Sequence, residues 1–252
     1  MNFRRSILIT TLMLLVASCA TTEVEQLSTG RGLTAKELYD KALSNISASN
    51  FKQAVQKLEN LDSRFPFGVY AEQAQLSLIY AYYKNRDSAS AISQADRFIR
   101  QHPKHAFVDY AYYMKGMVNF SAEIGFFQEA FSAKLEQRDA ATARQSFRDF
   151  SELVKRYPAS NYAPDARKRM IYLRNRLAQY ELHVARYYMQ RKAYLAAANR
   201  AKYVIEHFPK SEANADALAI MVSAYDILGL ETLAEKSRRT LLLNFPGYQL
   251  PL

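Results

Sequence analysis

The stretch Ala91-Ile92-Ser93-Gln94-Ala95-Asp96-Arg97-Phe98-Ile99-Arg100-Gln101-His102-Pro103 decides the fold, because its landmarks return four more times. Its proline is matched by Pro66, Pro158, Pro209 and Pro246. A ring precedes each one: Phe65, His102, Tyr157, Phe208 and Phe245. Five residues before stands an apolar side chain: Leu61, Phe98, Leu153, Val204 and Leu241. Twelve before stands a small one: Ala54, Ala91, Ser146, Ala197 and Ala234. A unit that recurs in this way belongs to a stacked array, and arrays present surface rather than a buried reaction centre.

The physics of each landmark is direct. Proline cannot continue a helix, so it closes the second helix of a pair. The ring before it fills the gap where that helix meets the next unit. The small residue lets the two helices of a pair approach closely. Positions nine before each proline are Lys57, Gln94, Asp149, Arg200 and Ser237, mostly polar, which predicts an outer face there. The pattern resembles the second helix of the tetratricopeptide repeat. The tryptophan expected in the first helix of that repeat is missing, since the chain has no Trp.

The fold class is therefore all-α, a tetratricopeptide-repeat superhelix of five helix pairs across residues 33–250. The pairs run from about Leu33 to Pro66, Tyr70 to Pro103, Val108 to Pro158, Ala163 to Pro209 and Ala213 to Pro246. Successive prolines are 37, 55, 51 and 37 residues apart. Units three and four thus carry extra length. In unit three it falls near Ala122 to Ala141, where Gly125 and the Phe126, Phe127, Phe131 cluster read as a loop with a short helix. In unit four the extra residues are close to four helical turns, which keeps one face inward. Ala163 to Arg191 then reads as one helix of about 27 residues. Its inward face would carry Ala166, Met170, Leu173, Leu177, Tyr180, Val184 and Tyr187.

Residues 1–18 read as a signal peptide. Arg4 and Arg5 precede a short apolar run, Ile7 to Val16, and then Val16-Ala17-Ser18-Cys19. Small residues before a lone cysteine resemble a bacterial lipobox, with lipid carried on Cys19. The chain has one cysteine, which excludes an internal disulfide. Acyl chains gain roughly 0.8 kcal/mol per buried methylene, so such an anchor would hold firmly. Ala20 rather than Asp after the cysteine favours the cell outer membrane, with the body in the periplasm. Residues 19–32 are polar, contain Gly30 and Gly32, and read as a flexible tether reaching at most about 45 Å.

The chain carries a net charge of +10, and residues 163–207 hold ten Lys or Arg against three Asp or Glu. Seven of those ten are arginine, which suits shaped contacts with carboxylates. An acidic protein surface is the favoured partner over anionic lipid or a merely solvated face. Nucleic acid is not expected of an exported lipoprotein. No metal, cofactor or catalytic motif is present: no HExxH, no phosphate-binding glycine loop, no nucleophile elbow. His102 and His105 flank a proline turn without obvious carboxylate or thiolate company. The chain does not read as an enzyme.

Tyr80-Ala81-Tyr82-Tyr83 and Tyr110-Ala111-Tyr112-Tyr113 lie on the first helices of units two and three, which line the inner side of such a superhelix. About two rings of each three are expected in the core, leaving one for a peptide groove.

Several ordered segments resemble the BamD family, also called ComL. They are Arg64-Phe65-Pro66-Phe67-Gly68 with Tyr70, then Leu78-Ile79-Tyr80-Ala81-Tyr82-Tyr83-Lys84-Asn85, then Asp96-Arg97-Phe98-Ile99-Arg100. Asp149-Phe150-Ser151, Arg176-Leu177-Ala178, Tyr180-Glu181, Tyr187-Tyr188 and Asn199-Arg200 agree as well. The resemblance implies a scaffold lipoprotein of the outer-membrane β-barrel assembly machinery. It implies docking on the periplasmic domains of BamA, contacts with other lipoproteins of that complex, and receipt of unfolded outer-membrane proteins. Carried over, Arg200 with Asn199, Arg191, Lys192 and Arg176 would face BamA. Phe67, Tyr70, Tyr80 and Tyr83 would form the client groove, and acylated Cys19 would sit in outer-membrane lipid. A lipoprotein organising cell-wall enzymes would use the same scaffold physics with other partners.

Overall fold

A computed structural model describes residues 32–129 and 140–249. Among the described residues there are ten α-helices and no strand. They are α1 (Ala35–Ser47), α2 (Phe51–Arg64), α3 (Val69–Lys84), α4 (Ser88–Gln101), α5 (Val108–Glu129), α6 (Ala141–Arg156), α7 (Ala163–Gln190), α8 (Tyr194–His207), α9 (Asn214–Ile227) and α10 (Glu231–Asn244). Each packs on its sequence neighbour, and the first helices of successive pairs (α1, α3, α5, α7, α9) also touch in series. First helices thus form the inner layer of a stacked hairpin array.

Every second helix ends two residues before its proline, as the repeat predicts. The ring before the proline takes the cap: the N–H groups of Phe65, His102, Tyr157, Phe208 and Phe245 each bond the carbonyl four residues back at 2.8–2.9 Å. Those carbonyls belong to Leu61, Phe98, Leu153, Val204 and Leu241, the apolar landmark, whose side chains are all buried. The small landmark is fully buried too, letting the paired helices close up. The turn inside a pair has its own signature. Ser49, Arg86, Lys192 and Gly229 each adopt φ near +60°, the left-handed residue that stops a helix.

The polar position nine before the proline is not an outer face. Gln94, Asp149 and Ser237 are buried; only Arg200 is exposed, with Lys57 between. Nine before lies three residues after the small landmark, so both fall on one helical stripe. Burial is tolerated because each polar group is bonded. Gln94 donates to the Gln75 carbonyl, Asp149 accepts from Asn119 and Gln145, and Ser237 donates to the Leu233 carbonyl.

The two added lengths resolve differently. The helix α7 is continuous over 28 residues, close to the expected 27. Its buried face is Leu173, Leu177, Ala178, Leu182 and Ala185, while Tyr187 turns out to solvent. A strict four-three step drifts about 20° per heptad against the real helical period, so the far end of the predicted face rotates outward. In unit three the expected loop is helix through Glu129: α5 passes Gly125 without a break. Phe131 lies outside the described residues.

Gly116 sets how closely α5 and α6 cross. A β-carbon there would stand 2.5 Å from the buried Phe150 ring. The Ser146 hydroxyl also donates to the Gly116 carbonyl at 3.0 Å.

Candidate functional site

Unit four carries the densest charge, and its centre is one carboxylate. Glu181 on α7 is buried, at 3% exposure. Arg144 from α6 reaches one of its oxygens at 3.3 Å and Arg200 from α8 reaches the other at 2.9 Å. Two guanidiniums on one carboxylate leave a net positive charge facing outward. Arg144 also lies over the Tyr180 ring at 5.5 Å. Partial burial works against the Arg200 charge, but the Glu181 hydrogen bond and its Coulombic pull outweigh it and hold the pKa above the ordinary arginine value.

Arg200 is thus exposed yet fixed. With Asn199, Tyr188, Ala196 and Tyr203 it lines an open surface pocket. Arg191 and Lys192 are exposed at the turn between α7 and α8. Arg176 has to be removed from this surface. Its side chain is 3% exposed and its Nε donates to the buried Glu123 of α5 at 2.9 Å. A run of arginines does not reveal which one points inward, and here the helical period turns Arg176 onto the same face as Leu173 and Leu177.

The four aromatic candidates of units one and two are not brought to one place. Phe67 lies in the turn before α3 and is 89% exposed. Tyr83 stands near the far end of α3, about 24 Å along the helix axis. Tyr70 packs on Tyr39 of α1 with ring centres 5.9 Å apart. Tyr80 meets Phe51 edge-on at 6.3 Å, and Tyr83 shares a 2.8 Å hydrogen bond with Ser121 of α5. Phe51, Tyr83, Lys84, Arg86 and Ser121 line an open groove at this end. Of the tyrosine clusters, Tyr112 is buried and the remaining rings are partly buried.

His102 and His105 do find carboxylate company: Glu72 of α3 lies 3.8 and 3.4 Å from them. His105 Nδ1 accepts the Phe107 N–H, so the group ties one proline turn to the preceding unit. Among the described residues no group of three or more His, Cys, Asp or Glu could hold a metal ion. Among them, too, no helix is long and apolar enough to cross a membrane. Cys19 lies outside the described residues.

Comparison with known proteins gives a consistent answer. The family model YfiO, described as outer membrane lipoprotein, matches residues 31–241. A protein of Vibrio cholerae serotype O1, named outer membrane protein assembly factor BamD, is 40% identical over 208 residues, 82% of this chain and 86% of its own. The protein of that name from Neisseria meningitidis serogroup A is 39% identical over 245 residues, covering 96% of this chain and 92% of its own. The one from Xylella fastidiosa strain 9a5c is 39% identical over 217 residues, 86% of this chain and 74% of its own. With the helix-pair array and the match across nearly all of it, the chain belongs to the YfiO family of outer membrane lipoproteins.

Proposed function

We propose that this chain is a non-catalytic scaffold for the assembly and insertion of proteins into the outer membrane. The proposal follows its relatives, which are named outer membrane protein assembly factors. Lipid on Cys19 anchors it, with the helical body in the periplasm. Unit four docks an acidic surface of BamA, and the inner face of units one and two receives unfolded outer-membrane proteins, with Tyr70, Tyr80 and Tyr83 along α3. Other lipoproteins of the complex attach elsewhere on the array.

The observation that carries this reading is the way Arg200 is held. A free surface arginine loses rotamer entropy when it binds. Here Glu181 has already fixed the guanidinium at 2.9 Å and Asn199 stands beside it. The net positive charge left by Arg144 and Arg200 on one carboxylate complements an acidic partner. Arg191 and Lys192 extend the same sign to the end of α7. The test is a pull-down of BamA periplasmic domains with Arg200→Glu. Binding should be lost while the helical circular dichroism stays unchanged; BamA retained at full strength sinks the docking assignment.

A further inference from the structure

The edge of the array formed by the first two proline turns differs from the rest of the surface. The chain enters the fold at Gly32, packed so closely on Arg64 that a β-carbon there would fall 2.6 Å from the guanidinium. Arg64 ends α2, and three residues on stands Phe67, 89% exposed, followed by Val69 at 67%. The next proline turn lies alongside, tied to α3 through Glu72 and His105 at 3.4 Å. It presents Phe107, 58% exposed. Arg64, Arg100 and Lys104, on the same two turns or the helix ends that lead into them, are exposed. The nearby acids are occupied: Asp62 is bonded to Arg97 and Gln75, and Glu72 faces His102 and His105.

Phe67, Val69 and Phe107 are too exposed to serve the core, and they share an edge with the root of the tether. Exposed apolar side chains that share their turns with long cations are suited to a phospholipid headgroup layer, where rings dip below the phosphates and cations pair with them. We propose that this edge is the membrane-facing surface of the protein, with Phe67 and Phe107 inserted into the phospholipid interface of the bilayer that holds the anchor. The inference rests on the proposed acylation of Cys19. Gly32 lies thirteen positions after that cysteine, a reach of at most about 45 Å. So short a link keeps the edge at high local concentration beside the lipid, and a contact too weak to bind membranes alone then suffices. Without the edge contact the tether would let the array turn freely. With it, the stack has one orientation relative to the bilayer.

The chain has no tryptophan, so Phe67→Trp and Phe107→Trp give single-probe proteins. Leu195→Trp, in the first turn of α8 of unit four and 57% exposed, is the control. Each full-length acylated variant is reconstituted into phosphatidylethanolamine–phosphatidylglycerol vesicles containing brominated acyl chains. Flotation reports the anchor and emission reports the edge. The expected result is co-flotation of all three, with emission at positions 67 and 107 blue-shifted and quenched several-fold more than at 195. Flotation with equal quenching at the three positions overturns the edge contact and leaves the anchor standing. Failure to float, with Cys19 unmodified by mass, removes the anchor and the proposal with it. Quenching at 67 that is absent in lipid, with a blue shift only on adding an unfolded barrel-strand peptide, overturns it in favour of a client contact.

Discussion

The guanidinium of Arg176 on α7 and the carboxylate of Glu123 on α5 meet at 2.9 Å with their side chains only 3% and 6% exposed. They join the two longest first helices at the middle of the array, where hydrophobic contact alone would leave register free to slide. Removing one partner leaves a buried charge, so Arg176→Ala or Glu123→Ala should each cost about 3–5 kcal/mol. Replacing both with Leu and Met should cost much less than either single change. Denaturant midpoints of the three variants decide the matter; a double variant as unstable as the worse single would show that the pair is not the unit of stability.

Glu181 is the acceptor common to Arg144 and Arg200, and the two sides of that arrangement are not equivalent. Arg144 and Arg200 are 37% and 46% exposed and can turn to water, whereas Glu181 at 4% cannot. Glu181→Ala should therefore cost roughly 1–3 kcal/mol, while Arg144→Ala with Arg200→Ala strands the carboxylate and should cost about 3–5 kcal/mol. On the proposed docking role, Glu181→Ala should weaken BamA binding less than Arg200→Ala. Added to Arg200→Ala it should do nothing further, because it acts through that side chain. An additive loss of binding would mean that Glu181 serves the interface by another route.

Gly116 allows a crossing that no other residue permits. Phe150, against which its missing β-carbon would press, is fully buried and cannot swing away. Gly116→Ala should lower stability by about 1–3 kcal/mol despite the better helix propensity of alanine. Adding Phe150→Leu should recover part of the loss by making room. A Gly116→Ala protein as stable as the parent would mean that α5 and α6 can separate without penalty.

These particulars show where sequence reading succeeds and where it stops. The second helices were legible because a proline, a cap ring and a small contact residue each leave a fixed chemical mark at a fixed offset. First helices carry no such mark. The residues near Ala122 to Ala141 read as a loop with a short helix because Gly125 lies there, yet a glycine costs a helix only about 1 kcal/mol, and α5 runs through it with Glu123, two residues earlier, buried against Arg176 of α7. Gln94 and Asp149 read as outward because they are polar. Gln94 bonds Gln75 on α3 and Asp149 bonds Asn119 on α5 as well as its own helix's Gln145, and no local pattern announces the partners on other helices. Arg200 reads as outward and is exposed, but its ties to Glu181 and, through it, to Arg144 need three helices in place. In sequence Arg176 is one cation in a run of cations, and only the helix packing places it inside, on Glu123.

Alkaline pH offers a test of the inner layer. The Tyr113 hydroxyl on α5 donates to Asp165 on α7 at 2.7 Å. Burial first, and then that hydrogen bond, push its pKa from 10.0 up to about 12. Tyr248 is raised to about 12 as well, by burial and by its bond to Asp216, and Tyr110 is raised by burial. A raised acid keeps its proton longer when folded than when unfolded. Between pH 10 and about 12 the unfolded chain has lost these protons while the folded chain retains them, so stability falls as pH rises through that window. Below pH 10 the contribution is fully present. Tyr113→Phe should lose about 1 kcal/mol at neutral pH through the missing hydrogen bond to Asp165. It should also show a shallower decline above pH 10, because one of the retained protons is gone. Denaturant midpoints across the alkaline range, followed alongside tyrosinate absorbance, measure both effects. A slope in Tyr113→Phe as steep as in the parent would assign the alkaline loss to the other tyrosines.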